Sequence, residues 1–306
     1  MNTQEWALIA FTILAEMSVG AFVVLGAVHF FVARKAGVQE ADRMSDRVLV
    51  AIIVTLGLGL LASLFHLGNP LNAPKAVTNI ATSWLSREIL CGVIFAVIGL
   101  VFVALQWFKV GSAVLRNVIA WIAAIVGVAL IYIQSNIYML PAQPSWNTLA
   151  TPINFIVSTL LLGVVAVGAA LVANYAFLQR KNPASAEPQY ELMRSVIRWI
   201  AIASIILLGI EFIVMPIYLA YLATGSSAAL VSLGLMAGKY SLAFILRWVL
   251  GFIGAGVLAV FLYQNAGSSE KKQVLAYLAY SAFVLVLIAE VLGRFVFYAT
   301  RHRIGI

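Results

Sequence analysis

Nearly every ionisable side chain inside the long apolar stretches of this chain falls in the same half of the membrane: Glu16, His66, Glu88, Glu211, Arg247, Glu290 and Arg294. A charge held in lipid costs a few kcal/mol or more, so each needs a partner or a task. A histidine among carboxylates can accept and pass on protons near neutral pH. Glu290 and Arg294 are spaced i, i+4 and can pair on one helix face, while Arg247 can pair with Glu290, Glu211 or Glu16. Such a set suits proton handling or the binding of a polar headgroup. A structural network of ion pairs would use the same residue types. Local readings compete as well: His66 can cap the end of a helix, with Gly68 and Pro70 ending it, and Glu88 can sit in a first turn behind Ser86 as N-cap.

The elements that position these residues follow from composition. The 306 residues are 63% hydrophobic and only 10% charged, with mean hydropathy +1.04. That excludes a soluble domain and predicts one all-α, polytopic membrane domain covering residues 1–306. Eight spans are expected, at about 6–33, 46–66, 87–108, 114–138, 150–178, 194–222, 239–264 and 272–300, each long enough for hydrocarbon roughly 30 Å thick. The N-terminus lacks the basic stretch of a cleavable leader, so the first span is expected to stay. Pro216 is expected to kink the sixth span near Glu211. Cys91 is the only cysteine, which excludes an internal disulfide and a four-cysteine iron–sulfur cluster within the chain.

Lys and Arg set the orientation. The loops after spans one, three, five and seven and their flanks carry twelve: Arg34, Lys35, Arg43, Arg47, Lys109, Arg116, Arg180, Lys181, Arg194, Arg198, Lys271 and Lys272. The opposite loops carry Lys75, Arg87 and Lys239. The first set is therefore expected on the cytoplasmic side of a bacterial inner membrane, with both termini outside. The +8 net charge belongs to this topology and is no sign of nucleic acid. At about 1.5 Å per residue, all seven map to the outer half, leaving a nearly bare inner half with only His29 and interfacial charges. The outer loops, one with Trp84 near its end and one with Trp146 and two prolines, suit either a partner's docking face or an interfacial aromatic belt. Tyr298, Arg301, His302 and Arg303 are expected at the outer surface beside that partner.

Several local patterns resemble a known family. They are Phe11-Thr12 through Gly20-Ala21-Phe22, His66-Leu67-Gly68-Asn69-Pro70, Leu85-Ser86-Arg87-Glu88-Ile89, Pro144-Ser145-Trp146, Thr151-Pro152 and Glu290-Val291-Leu292-Gly293-Arg294-Phe295-Val296-Phe297-Tyr298. Together they resemble the integral-membrane anchor subunits of dimethyl sulfoxide reductases, in the complex iron–sulfur molybdoenzyme group, over essentially the whole chain. The resemblance implies a menaquinol-oxidising anchor that binds a four-cluster iron–sulfur subunit and a molybdopterin catalytic subunit on its outer face. The quinol-site histidine and glutamate carry over to His66 and Glu88, with Glu16, Arg247, Glu290 and Arg294 lining the same chamber. Glu16 departs from the pattern, where a neutral polar residue is expected. The iron–sulfur clusters and the molybdenum or tungsten cofactor would belong to the partners. No haem is expected, because His29 and His66 map to opposite ends. Two alternatives stay open: a polysulfide-reductase type of quinone-linked anchor, and a secondary transporter, which would need polar groups near the midplane and an inner exit.

Overall fold

The structure, a computed structural model, describes residues 3–66, 75, 77–181, 183–268 and 271–305; the side chains of Thr3, Gln4, His66, Val77, Ala184 and Ser185 fall outside the description. Ten α-helices follow in order among the described residues. They are α1 (Thr3–Ala36), α2 (Val38–His66), α3 (Trp84–Trp107), α4 (Ala113–Ile137), α5 (Ala150–Lys181), α6 (Pro183–Thr224), α7 (Ser227–Ala237), α8 (Ser241–Gly251), α9 (Leu258–Asn265) and α10 (Lys272–Ala299). A π-helical stretch, Phe252–Val257, joins α8 to α9 into one rod. Eight rods are long and apolar enough to cross a membrane. The protein is an all-α, multi-pass membrane protein, as its composition predicts.

Length and burial decide the layout. The apolar windows of α1 and α5 are 67% and 78% buried, against 17–33% for the other six spans. These two form the centre. Around them α2 packs on α1, α3 on α4, α6 on α5, and α10 on both α8 and α5. The two central helices touch backbone to backbone at Gly20 and Gly163. A Cβ added to Gly20 would lie 1.8 Å from the Thr159 carbonyl oxygen, and one added to Gly163 would lie 2.2 Å from the Gly20 carbonyl carbon. Small residues at such crossings let apolar helices gain close packing in lipid. Gly163→Leu is expected to cost at or beyond the upper end of the ~1–3 kcal/mol typical of overpacking. Thermal unfolding of the full-length protein in mild detergent checks this; an unchanged midpoint would mean the helices do not cross there.

Two helix starts and one short helix differ from the sequence expectation. α2 begins at Val38 and α6 at Pro183, well before the apolar stretches, because Gln, Glu, Met and Arg continue a helix beyond the lipid. Gly37, at φ 91°, separates α1 from α2 with a left-handed turn that a side chain would strain. The short α7 was not foreseen, since its 11 residues are too few to span. α6 continues through Pro216. Proline has no N–H there, so the Phe212 carbonyl, next to Glu211, lacks its usual helical donor.

Even numbers of spans bring both ends of the polypeptide to one face. Arg301 reaches Glu5 at 3.2 Å, and Trp6 stacks on Phe295 with centroids 5.6 Å apart. We call this the terminal face and the opposite one the basic face.

Candidate functional site

A series of polar side chains runs through the terminal half of the bundle. It starts at Glu88, one turn into α3 and buried. The N-cap of α3 is Ser83, whose hydroxyl accepts from the Ser86 backbone N–H at 3.3 Å. Ser86 itself is a helical residue, so the expected capping role falls three residues earlier. With the cap at Ser83, Glu88 is turned into the protein rather than left at the helix end. Gln134 of α4, also buried, is the polar neighbour of the Glu88 carboxylate.

Beyond Glu88 stands Tyr138, the C-cap of α4, whose hydroxyl lies 2.7 Å from that of Tyr298 on α10. A phenol hydroxyl can donate to one neighbour and accept from another at once. Thr12 of α1, whose hydroxyl donates to the Ile9 carbonyl at 3.0 Å, is also buried beside Tyr298. One turn back on α10, Arg294 donates to Glu16 of α1. Ser158 of α5 donates to the second Glu16 oxygen at 2.7 Å. Glu16 is 0% exposed and Arg294 7%, so each supplies the counter-charge the other needs. The Arg294 guanidinium also lies 3.7 Å above the Phe155 ring, a favourable seat for a cation.

This corrects the pairing expected from spacing. Arg294 pairs with Glu16 across the bundle instead of with Glu290 one turn away. Glu290 is a close neighbour of the Glu211 carboxyl, and the Arg247 guanidinium stands 3.6 Å from Glu211. Gly293 makes room for Arg247: a Cβ there would lie 2.5 Å from the Arg247 Nε. The Glu-x-x-Gly-Arg pattern thus encodes a carboxyl, a seat for a neighbouring arginine and a second arginine. Arg247, Glu290, Arg294 and Ser158 line a cavity of about 50 Å³, closed in part by Met236 of α7. That volume suits a few waters and is too small for a quinone ring system.

Several residues stand elsewhere than their types and spacing predict. The Trp146 side chain is inserted into the bundle and does not stand at an interfacial belt. Trp146 is 7% exposed, donates to the Phe297 carbonyl at 2.9 Å and stacks on that ring at 5.2 Å. Tyr218 donates to the Ser145 carbonyl at 2.9 Å from below. Tyr298, expected at the surface, is buried. Arg87 donates to the Ile80 and Ala81 carbonyls and lies over the Trp84 ring, tying a loop to α3. Gln134, Tyr138, Thr12 and Ser158 were missed, because a lone uncharged polar residue in an apolar stretch carries no signal until its neighbours are known. His66 is the last residue of α2, but its side chain and residues 67–74, with the rest of the His-Leu-Gly-Asn-Pro pattern, lie outside the described residues.

The inner half is not bare. At the basic face Asp42 accepts from Gln106 at 2.7 Å and from Lys109 at 2.9 Å, and lies 2.9 Å from His29. Lys109 also reaches Asp46 at 2.8 Å. By type and position these charges read as interfacial, whereas Lys109 and Gln106 fold back onto α2. His29 meets Asp42 near the start of α2, and His66 ends that helix about 36 Å further along. Between the two polar regions lies an apolar layer: Val19 of α1 and Phe95 of α3 close on Gly127 of α4, each within 3.2 Å of where its Cβ would stand. Val19, Phe95, Ala123 and Leu130 are all buried.

Fold and site together define a class: an eight-span, all-helical membrane protein whose buried charges form a polar series in one half of the bundle. The pattern of the family described as DMSO reductase anchor subunit (DmsC) matches residues 1–300, and the protein belongs to that family. It is 25% identical over 308 aligned positions to the C chain of anaerobic dimethyl sulfoxide reductase from Haemophilus influenzae, an alignment covering 100% of this sequence and 98% of that one. It is 24% identical over 306 positions to the corresponding C chain from Escherichia coli, covering 98% and 96%. Against the YnfH chain of anaerobic dimethyl sulfoxide reductase from Escherichia coli it is 32% identical over 171 positions, covering 55% of this sequence and 58% of that one. The protein is a membrane anchor subunit of the dimethyl sulfoxide reductase type.

Proposed function

We propose that this anchor oxidises menaquinol at the terminal face and passes the electrons to an iron–sulfur subunit docked there. The observation that supports this most is the cluster of buried polar side chains in the terminal half, Glu88, Gln134, Tyr138, Tyr298, Arg294 and Glu16, in which the two tyrosine hydroxyls meet and Arg294 pairs with Glu16. Oxidising a quinol releases two electrons and two protons, so the protein must supply proton acceptors beside the headgroup. Glu88 lies one turn into α3 and His66 closes α2, and these two are the residues we assign to the quinol oxygens. Glu88 takes one proton as a general base, and His66 takes the other. The tyrosine pair, the Arg294–Glu16 pair and the Glu211–Glu290 pair with Arg247 then offer a route to the surface. The water-sized cavity favours this proton role for Arg247, Glu290 and Arg294 over direct contact with the ring. The molybdenum or tungsten centre and the four clusters belong to the partner subunits, and no haem in this subunit is needed. The membrane is the bacterial inner membrane, with the terminal face outward.

Releasing electrons and protons at one face makes the half-reaction electroneutral. The test is stopped-flow oxidation of a menaquinol analogue by the complete complex in liposomes, with ferricyanide, which takes electrons without protons, on the terminal side as acceptor and a pH dye on one side. Two protons per quinol should appear on the terminal face. Protons emerging on the basic face would overturn the assignment.

A further inference from the structure

A second cavity, of about 480 Å³, lies between α1, α2, α3 and α4 at the basic face. Nothing in the quinol chemistry above uses it. Its polarity is graded. Arg34 and Arg116 flank the mouth, close to the ends of α1 and α4. The floor is formed by Phe22, Leu25, Phe102 and Ala124, with Ala124 about 12 Å deeper than Arg116 along α4. One side is open to the bilayer, where Gly26, Ala27, Phe30 and Trp121 line the slot and are exposed. A Cβ added to Gly26 would meet nothing within 4 Å.

Arg116 is the informative residue. It is 9% exposed, and its Nη1 donates to the Gly111 carbonyl at 3.1 Å. Its buried Nε has no partner. No carboxylate pairs with it among the described residues. The nearby Asp42 is already engaged by His29, Gln106 and Lys109. A buried guanidinium without a counter-ion is costly and calls for an anion.

We propose that this slot binds an anionic phospholipid, with its phosphate on Arg116 and an acyl tail along the apolar floor. Basic pockets between spanning helices at the charged face of a membrane protein suit such headgroups. Arg34 adds a second positive charge at the mouth, and the lipid-facing side lets the acyl tail enter laterally. A quinone fits less well: His29, the base lining the slot, is committed to Asp42, and a neutral ring leaves Arg116 without its counter-charge. The inference stands apart from the quinol reading, and its readout is lipid retention.

The test uses the full-length protein in mild detergent, titrated with phosphatidylglycerol or with phosphatidylethanolamine and observed by native mass spectrometry. One phosphatidylglycerol should survive activation that strips phosphatidylethanolamine. Arg116→Gln should weaken its retention about tenfold, as for loss of a charge-assisted hydrogen bond. Ala124→Phe, which fills the floor and leaves the arginine in place, should abolish it without changing the thermal midpoint. It carries the test if Arg116→Gln does not fold. Lys181→Gln, exposed on the same face, should have no effect. Equal retention of the two lipids, retention unchanged in both slot variants, or a quinone displaced by Ala124→Phe in place of a lipid would overturn the proposal.

Discussion

Arg294→Met is expected to destabilise the protein by roughly 3–5 kcal/mol, because it leaves Glu16 charged and buried without its partner. Ser158 alone would then face that carboxylate, and one neutral hydroxyl cannot replace a guanidinium. The pair also fastens α1, α5 and α10 together, so its loss should loosen the central packing. The double variant Glu16→Gln with Arg294→Met should recover most of the stability, since replacing both members of a buried pair removes the orphaned charge. Unfolding of all the variants, with Glu16→Gln alone, in one detergent forms a double-mutant cycle. A single variant as stable as the parent would show that Glu16 has another counter-charge.

Glu88→Gln should leave the fold intact and lower the rate of menaquinol oxidation by about 10²–10⁴-fold, the usual worth of a positioned general base. Glutamine keeps the shape of the side chain and can still accept from Gln134, but it cannot take a proton. The loss should therefore fall on kcat, with KM little changed. A comparable loss carried by KM alone would make Glu88 a binding group and not the base.

Much of this was legible in the residues themselves. The eight spans follow from hydropathy, and the buried charges name the helices that must face inward. Glu16, Glu88, Glu211, Arg247, Glu290 and Arg294 all enter the bundle's interior, as their cost in lipid requires. Their pairing was not legible, because spacing along one helix says nothing about which helix lies opposite. Local spacing favours Glu290 with Arg294, yet the close crossing at Gly20 and Gly163 brings α1 and α5 together beneath α10 and delivers Glu16 to Arg294. The inner half misled for a different reason. Asp42, Asp46 and Lys109 look like ordinary surface charges near helix ends, and only the extension of α2 back to Val38 turns them toward His29 and Gln106. Trp146 and Tyr298 read as interfacial aromatics by type. Their burial depends on the loop before α5 folding inward, which no local pattern announces.

The existence of two cavities at opposite faces makes the location of quinol oxidation the central question. The most direct measurement compares menaquinol oxidation by the complete complex carrying Glu88→Gln with that of the complex carrying Ala124→Phe. The first alters the terminal face and the second fills the slot at the basic face. Loss of oxidation with Glu88→Gln and normal rates with Ala124→Phe are expected if the quinol reacts at the terminal face. Normal rates with Glu88→Gln and loss with Ala124→Phe would move the reaction to the basic face and contradict that assignment.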